Sequence, residues 1–581
     1  MTYIEDVRAL FATVQSVTID PNLVEIPQDR SMGDFALPCF SFAKELKKAP
    51  QQIAQDIATE LWSIVDPHPN PLPTATLGEG AFLKCVSTIE AVWPYVNVTL
   101  KTAYVAEEVI QQVSDLADTY GAWDADQKLV IESPGPNTNK PLHLWHVRNM
   151  LLGNALAAIS AHAWYDVSKV DIVNDRGVHI CKSMLAYREL WNNAEPDKKS
   201  DHYVGDWYVA YDQGIKWDHP DREQEIQDML VKREDEDVQT RALRKKMRDR
   251  ALDGMRETYA RYGCHIDQAY YESDHYLKGK SIVEEWLASW VFSANDKGNI
   301  IFEDDELGEK VLLRSDGTSI YITQDIALGK IRYDDWQMDR MVYVVGNEQA
   351  DHFKFLFKIF EKLGYSFGPR CHHLSYGMIS LPDGKMKSRE GNVVDADNLA
   401  DQMQQTSLEQ LDIRYPDEDN TQLAEHIAMW AIKFFVLKYD AKKDFVFDRD
   451  ESLSFDGESG PYIQYTHARC CSIQRKANDL NLQASSIDYS CLVQDSERLL
   501  LLHLSEFGDV VTKAADEYKP SVVARYVLEL ARMFNWYYQS TKILLEDDEP
   551  TTQARLALVA SVQQVLKNGL RLLWIEAPEK M

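Results

Sequence analysis

Between Lys128 and about Asp412, short apolar runs (KLVIES, VDIVND, MVYVVGN) alternate with long amphipathic helical stretches. Strands separated by helices close into a parallel sheet wrapped by those helices, so the region reads as an α/β core. Ligands of such cores sit at the carboxyl ends of the strands. After about Asp417 the strand signals stop. LAEHIAMWAIKFFVLKY, GPYIQYTHARCCSIQRKA, VVARYVLELARMFNWYYQ and ARLALVASVQQVLKNGLRLLW all carry helical apolar stripes, which predicts a C-terminal helix bundle.

Ahead of the sheet region, the first hundred or so residues read as a small α/β module. FSFAKELKKAPQQIAQDIATELWSIV has helical spacing, DPHPNPLPTATLGEG is a proline-rich break, and YVNVTLK alternates as a strand does. The expected division is residues 1–110, 111–415 and 416–581, with the highly charged stretch 222–263 as an inserted or peripheral helical element. No segment approaches the roughly 18 apolar residues of a membrane span. The beginning MTYIEDVRAL carries acids where a signal peptide carries bases. A cytoplasmic monomer without membrane contact is expected. The eight cysteines are scattered without paired spacing, which predicts reduced thiols. Cys264-His265 and Cys371-His372-His373 lack a second ligand pair, so ordinary packing is expected there and no protein-bound metal.

One stretch carries chemistry. In VIESPGPNTNKPLHLWHVRN a strand ends, a turn follows, and a helix opens near His143 and His146, where first-turn N–H groups and the helix dipole favour a polyphosphate such as that of ATP. Two histidines three apart are common on helix faces, and the pair alone would mean little. Some 240 residues on, GKMKSREGN offers Lys385, Met386, Lys387 and Arg389 in a glycine-flanked basic loop. Lysines on such a loop can neutralise phosphate charge as it develops, although by itself the loop also reads as a solvated surface. The formal charge of −30, from 62 basic and 92 acidic residues, argues against indiscriminate attraction to nucleic acid. It leaves open a specific RNA bound by stacking and hydrogen bonds.

The histidine pair together with the Lys-Met-Ser-Lys-like loop resembles the class I aminoacyl-tRNA synthetases. PNTNKPLH, IVNDRGVHICKSMLAYR, LLRSDGTSIYITQDIA, GKMKSREGNVV, SGPYIQYTHARCCSI and the ending LWIEAPEKM are similar to arginyl-tRNA synthetases over essentially the whole length. The resemblance implies a Rossmann-type catalytic domain between an N-terminal module that contacts the tRNA elbow and a helical anticodon-binding domain. It implies ligation of L-arginine to tRNA(Arg) through an arginyl-adenylate, with ATP and its Mg2+ as substrate. In that family tRNA is usually required even for adenylate formation.

By position in these motifs, Glu132, Asn137, Tyr321, Asp325 and Gln349 match the amino-acid pocket. His143, Trp145, His146, Lys385 and Met386 match the ATP site, and His143, His146, Lys140, Lys385 and Lys387 the catalytic set. A guanidinium calls for carboxylates because bidentate pairing excludes lysine, which has no fork. Tyr321 and Asp325, four apart, would share one face of a helix.

Two departures stand out. The second lysine of the loop is displaced to Lys387, and Lys140, just ahead of the first histidine, is placed to substitute. Trp145 stands where the family has a glycine that lets adenine lie against the backbone. An indole there is expected to hinder ATP, which makes a catalytically impaired tRNA-binding paralogue the alternative to an active ligase. Further RNA candidates are RALRKKMRDR (Arg241 to Arg250), otherwise a solvated helix, and Tyr462, Tyr465, Trp536, Tyr537 and Tyr538, otherwise core.

Overall fold

The computed structural model describes residues 3–27, 29–65, 85–123, 125–190, 196–212, 222–234, 237–289, 291–317, 320–382, 394–480, 482 and 487–581. The N-terminal module holds helices Tyr3–Ala12, Pro50–Val65 and Thr102–Leu116 and an antiparallel sheet on which Pro50–Val65 packs. Its strands are β1 (Phe35–Pro38), β2 (Val86–Val92) and β3 (Tyr95–Leu100), in the order β1-β3-β2. YVNVTLK is β3, with Val96, Val98 and Leu100 buried.

The sheet expected from the apolar runs is present. KLVIE is β4 (Lys128–Glu132) and DIV ends β5 (Asp166–Val173); β6 (Gln268–Tyr271) follows in the chain, then a small antiparallel meander of β7 (Ser293–Ala294), β8 (Ile300–Asp304) and β9 (Gly308–Leu313). MVYVVG lies in β10 (Arg340–Gly346), followed by β11 (Cys371–Tyr376). The central sheet has the order β11-β10-β4-β5-β6, with every neighbouring pair parallel. Both faces are covered. Leu129 and Ile131 of β4 join the main core, while Val130 between them joins a second cluster with Met341, Tyr343, Phe353 and Phe360 on the opposite face. Side chains alternate across a strand, so a strand buried on both faces reads as a continuous apolar run.

The chain runs from β4 outward to β5 and β6, then returns to the other side of β4 as β10. Strand order therefore reverses between β4 and β10, which opens a crevice at their carboxyl ends. The helix Leu144–His162 leaves β4 into this crevice and is buried around most of its circumference, between the sheet and the C-terminal helices. It lies close to the strand end, since a Cβ on Gly153 would come within 2.6 Å of the Ser133 side chain.

The charged stretch 222–263 forms two helices, Arg222–Glu234 and Val238–Tyr262, the second packed on Ser200–Ala210. Beyond residue 417 helices dominate: Thr421–Leu437, Gly460–Asp479, Asp495–Ser505, Phe507–Asp516, Pro520–Ser540 and Glu549–Leu572. One strand signal escaped the sequence reading there. The two-residue strand β13 (Phe445–Val446) pairs in parallel with β12 (Ile379–Ser380), tying the helical half to the segment after β11. All eight cysteines are free thiols. No helix among the described residues is long and apolar enough to cross a membrane.

Candidate functional site

A cleft of about 640 Å³ lies at the strand reversal, and its wall includes Glu132, Asn137, Lys140, His143, Trp145, His146, Tyr321, Asp325 and Gln349. These residues reach it from four places. Glu132 ends β4; Asn137 to His146 form the following turn and helix start; Tyr321 and Asp325 open the helix Tyr321–Trp336; Gln349 ends the short turn after β10. The cleft thus brings together every expected site residue that the structure describes. Lys385, Met386 and Lys387 lie outside the described residues. The backbone just after that stretch is held at the histidines, where Leu144 N–H donates to Val394 O and Ala396 N–H to Leu142 O, both at 3.0 Å.

At the helix start, His143 is the N-cap residue, and its backbone N–H donates to His146 Nδ1 at 3.1 Å. His146 therefore accepts at Nδ1 and keeps its hydrogen on Nε2. Lys140 Nζ lies 3.4 Å from His143 Nε2. The two rings are 3.9 Å apart. Burial first, and the Lys140 charge second, push His143 down to about 3 from the ordinary 6.5. Burial and the same two neighbours hold His146 well below its ordinary value, and burial lowers Lys140. Among the described residues no carboxylate pairs with Lys140, so this end presents a half-buried cation and two neutral imidazoles without an anion.

Trp145 lines the same end. Its indole N–H donates to Ile379 O at 3.2 Å, and its ring meets His143 edge-on at 5.5 Å. The indole is thereby fastened to β12. Three residues on, Arg148 is wholly buried, with its guanidinium donating to the carbonyls of Gly377 at 2.6 Å, Ala441 at 2.9 Å and Lys443 at 2.9 Å. Asn149 braces the helix against the sheet, accepting from Ser133 Oγ at 2.8 Å and donating to Val344 O at 2.6 Å.

At the far end two carboxylates face the cleft, each with an internal cation or donor. Glu132 pairs with Arg332, whose guanidinium is fully buried beneath the rings of Tyr270 and Tyr343. Asp325 Oδ2 lies 2.6 Å from His352 Nε2. Desolvation raises the Glu132 carboxyl against the pull of Arg332. Tyr321 is 74% exposed at the mouth. Sequence reasoning missed Arg332 and His352, although His352 stands three residues past Gln349 in the stretch that pointed to the pocket.

Beside Lys140 and His143 a second chamber of about 480 Å³ opens toward His179, His202 and Tyr208. Near it Asp201, His202 and Asp397 group their side-chain ligand atoms within 4.8 Å. Lys199 occupies that group, 2.7 Å from Asp397 and 3.3 Å from Asp201. The cysteine–histidine pairs are engaged otherwise, with Cys264 Sγ 3.5 Å from Lys169 Nζ and Cys371 Sγ 3.5 Å from Phe367 O.

The RNA candidates divide. On the basic helix Arg248 is tied to Asp175 and Asp249, Lys245 to Asp249, and Arg250 lies over Tyr203. Of the C-terminal aromatics, Tyr537 is core. Trp536 and Tyr538 are 60% and 42% exposed, and Arg469 lies 4.8 Å from the ring centres of both Tyr465 and Tyr538.

A doubly wound parallel sheet that sets a His-x-x-His helix start against its strand-reversal crevice, backed by an all-helical C-terminal half, defines a class I aminoacyl-tRNA synthetase. The family model described as the class I (R) tRNA synthetase catalytic domain matches residues 110–449. The DALR anticodon binding domain matches 463–581, and the arginyl tRNA synthetase N terminal domain 2–63. The arginine–tRNA ligase of Treponema denticola is 39% identical over 573 residues, covering 96% of this chain and 94% of its own. That of Bacteroides thetaiotaomicron is 39% identical, covering 94% of both. The arginyl-tRNA synthetase structure of Thermus thermophilus superposes with a TM-score of 0.81 at 26% identity, covering 100% of this chain and 99% of that one. The chain belongs to the arginyl-tRNA synthetase family.

Proposed function

We propose that the cleft activates L-arginine with Mg-ATP and passes it to tRNA(Arg). The observation that carries this reading is the pairing, within one crevice, of an anion-seeking end (Lys140, His143, His146) with an end that presents carboxylates (Glu132, Asp325). The arginine carboxylate attacks the α-phosphate of ATP and pyrophosphate leaves; a ribose hydroxyl at the tRNA 3′ end then attacks the arginyl carbonyl and AMP leaves. Lys140 and the histidine N–H groups meet charge as it builds on the phosphates, supplemented by Lys385 and Lys387 of the basic loop, with Met386 beside the nucleotide. Asp325 and Tyr321 take the guanidinium, while Glu132, Asn137 and Gln349 fix the rest of the amino acid.

Trp145 walls the nucleotide end, held on the Ile379 carbonyl. The working partition into 1–110, 111–415 and 416–581 assigns the outer parts to the tRNA elbow and the anticodon, and the exposed Trp536 and Tyr538, the latter beside Arg469, are the proposed stacking side chains. A cytoplasmic monomer is the proposed form. The test is charging of tRNA with labelled arginine beside pyrophosphate exchange, with and without tRNA. Charging, with exchange dependent on tRNA, supports the reading. Binding of tRNA with no charging would establish the non-catalytic alternative that Trp145 suggested.

A further inference from the structure

We infer that His352 is a positioning residue for guanidinium recognition, fixing the Asp325 carboxylate so that its second oxygen faces the substrate; this rests on the reading of Asp325 as a guanidinium partner. Asp325 sits in the second turn of its helix, where an aspartate side chain has several rotamers, and a fork of two N–H donors is matched only if the carboxylate plane is set in advance. His352 sets it. A carboxylate only accepts, so the hydrogen in the 2.6 Å contact lies on His352 Nε2. Among the described residues Asp325 Oδ1 takes no hydrogen bond, and the carboxylate, 28% exposed, keeps that edge open to the cleft.

His352 is itself held. Its side chain is only 16% exposed in the first turn of the helix Ala350–Lys362, and its ring meets Phe353 edge-on at 5.4 Å. Phe353 stacks on His373 at 4.4 Å, and His373 Nε2 lies 3.0 Å from Val345 O of β10. A chain of packed rings therefore runs from the central sheet to the carboxylate that reads the substrate. Glu132 is held differently, by a buried guanidinium, so His352 is the contact at this end whose loss spares the buried core.

The experiment uses the full-length enzyme in steady-state tRNA charging. His352→Ala is expected to raise the arginine KM on the order of tenfold or more, with kcat and the ATP KM nearly unchanged, since a displaced carboxylate misplaces only the amino acid. His352→Gln, whose side-chain amide can donate from about the place of Nε2, is expected to bring the arginine KM back to within about threefold of the parent. A parental arginine KM in the alanine variant, an equal rise in the ATP KM, or no rescue by glutamine would overturn the inference. Asp325→Asn, measured in parallel, separates the two levels. If it raises the arginine KM while His352→Ala does not, the positioning role alone fails; if neither does, the reading of Asp325 fails with it.

Discussion

At one end of the cleft each carboxylate already has a partner, Glu132 with Arg332 and Asp325 with His352, whereas at the other end Lys140, His143 and His146 meet no acid among the described residues. At the first end the carboxylates are already fixed in place before any ligand arrives, with one Asp325 oxygen left open, so a guanidinium must match their geometry as well as their charge. A preformed pair of acceptors rejects a cation that cannot present the fork. The second end is left short of an anion in a buried setting, so any polyphosphate that enters relieves a standing cost. Selectivity is thereby concentrated at one end, and attraction together with transition-state stabilisation at the other.

The contrast can be broken most decisively at Asp325. Asp325→Asn is expected to lower kcat/KM for arginine by about 2–4 kcal/mol, roughly 30- to 1,000-fold, with the ATP KM changed much less. Parental arginine kinetics in charging assays would remove the carboxylate from the recognition end. Lys140→Ala should lower kcat for adenylate formation by about 100-fold while tRNA affinity stays nearly constant. Reduced tRNA affinity with intact chemistry would move Lys140 from the phosphates to the RNA.

Trp145→Gly tests whether the indole narrows the anion-seeking end. Removing it is expected to tighten ATP binding by about 30-fold or more in titration calorimetry, because the ring and the adenine compete for one space. Equal or weaker binding by the glycine variant would mean that the indole serves the base as a stacking partner.

The smallest effect is a proton count. His143 is held near 3 against an ordinary 6.5, so between those values the unfolded chain binds a proton that the folded one refuses. Its contribution to stability is full above pH 6.5 and declines as pH falls toward 3. A bound polyphosphate favours the imidazolium and raises this pKa, so ATP binding at pH 6 should take up a fraction of a proton. Calorimetry in two buffers of different ionisation enthalpy measures it, and zero uptake would show that the phosphates do not reach the histidines.

The central strands were legible because β4 and β10 are covered on both faces, and burial leaves an apolar run within each. The sheet edges were not. β6 (QAYY) and β11 (CHHLSY) pair on one side only, which tolerates polar residues and erases the apolar run. The β7–β9 meander has short strands between turn residues and left too little pattern to separate from loop. Within the cleft the histidine turn was legible as local chemistry, a strand end, a turn and a helix start in consecutive residues. Arg332 and His352 were not, because each matters only through a residue on another element, 200 positions away for Glu132 and 27 for Asp325. For the aromatics Tyr537 and Tyr538, adjacent in sequence, the helix alone decides that one is core and the other surface.

The buried Arg148 gives the molecule a mechanical property. Its guanidinium, two residues beyond His146, collects the carbonyls of Gly377, Ala441 and Lys443, the last two from the link between the helices of the C-terminal half. A wholly buried guanidinium that donates to several carbonyls at once holds them stiffly. Displacement of the 441–443 link must therefore either drag the histidine turn with it or strand a buried cation. The helix start and that link behave as the two arms of one lever, with Arg148 as its pin.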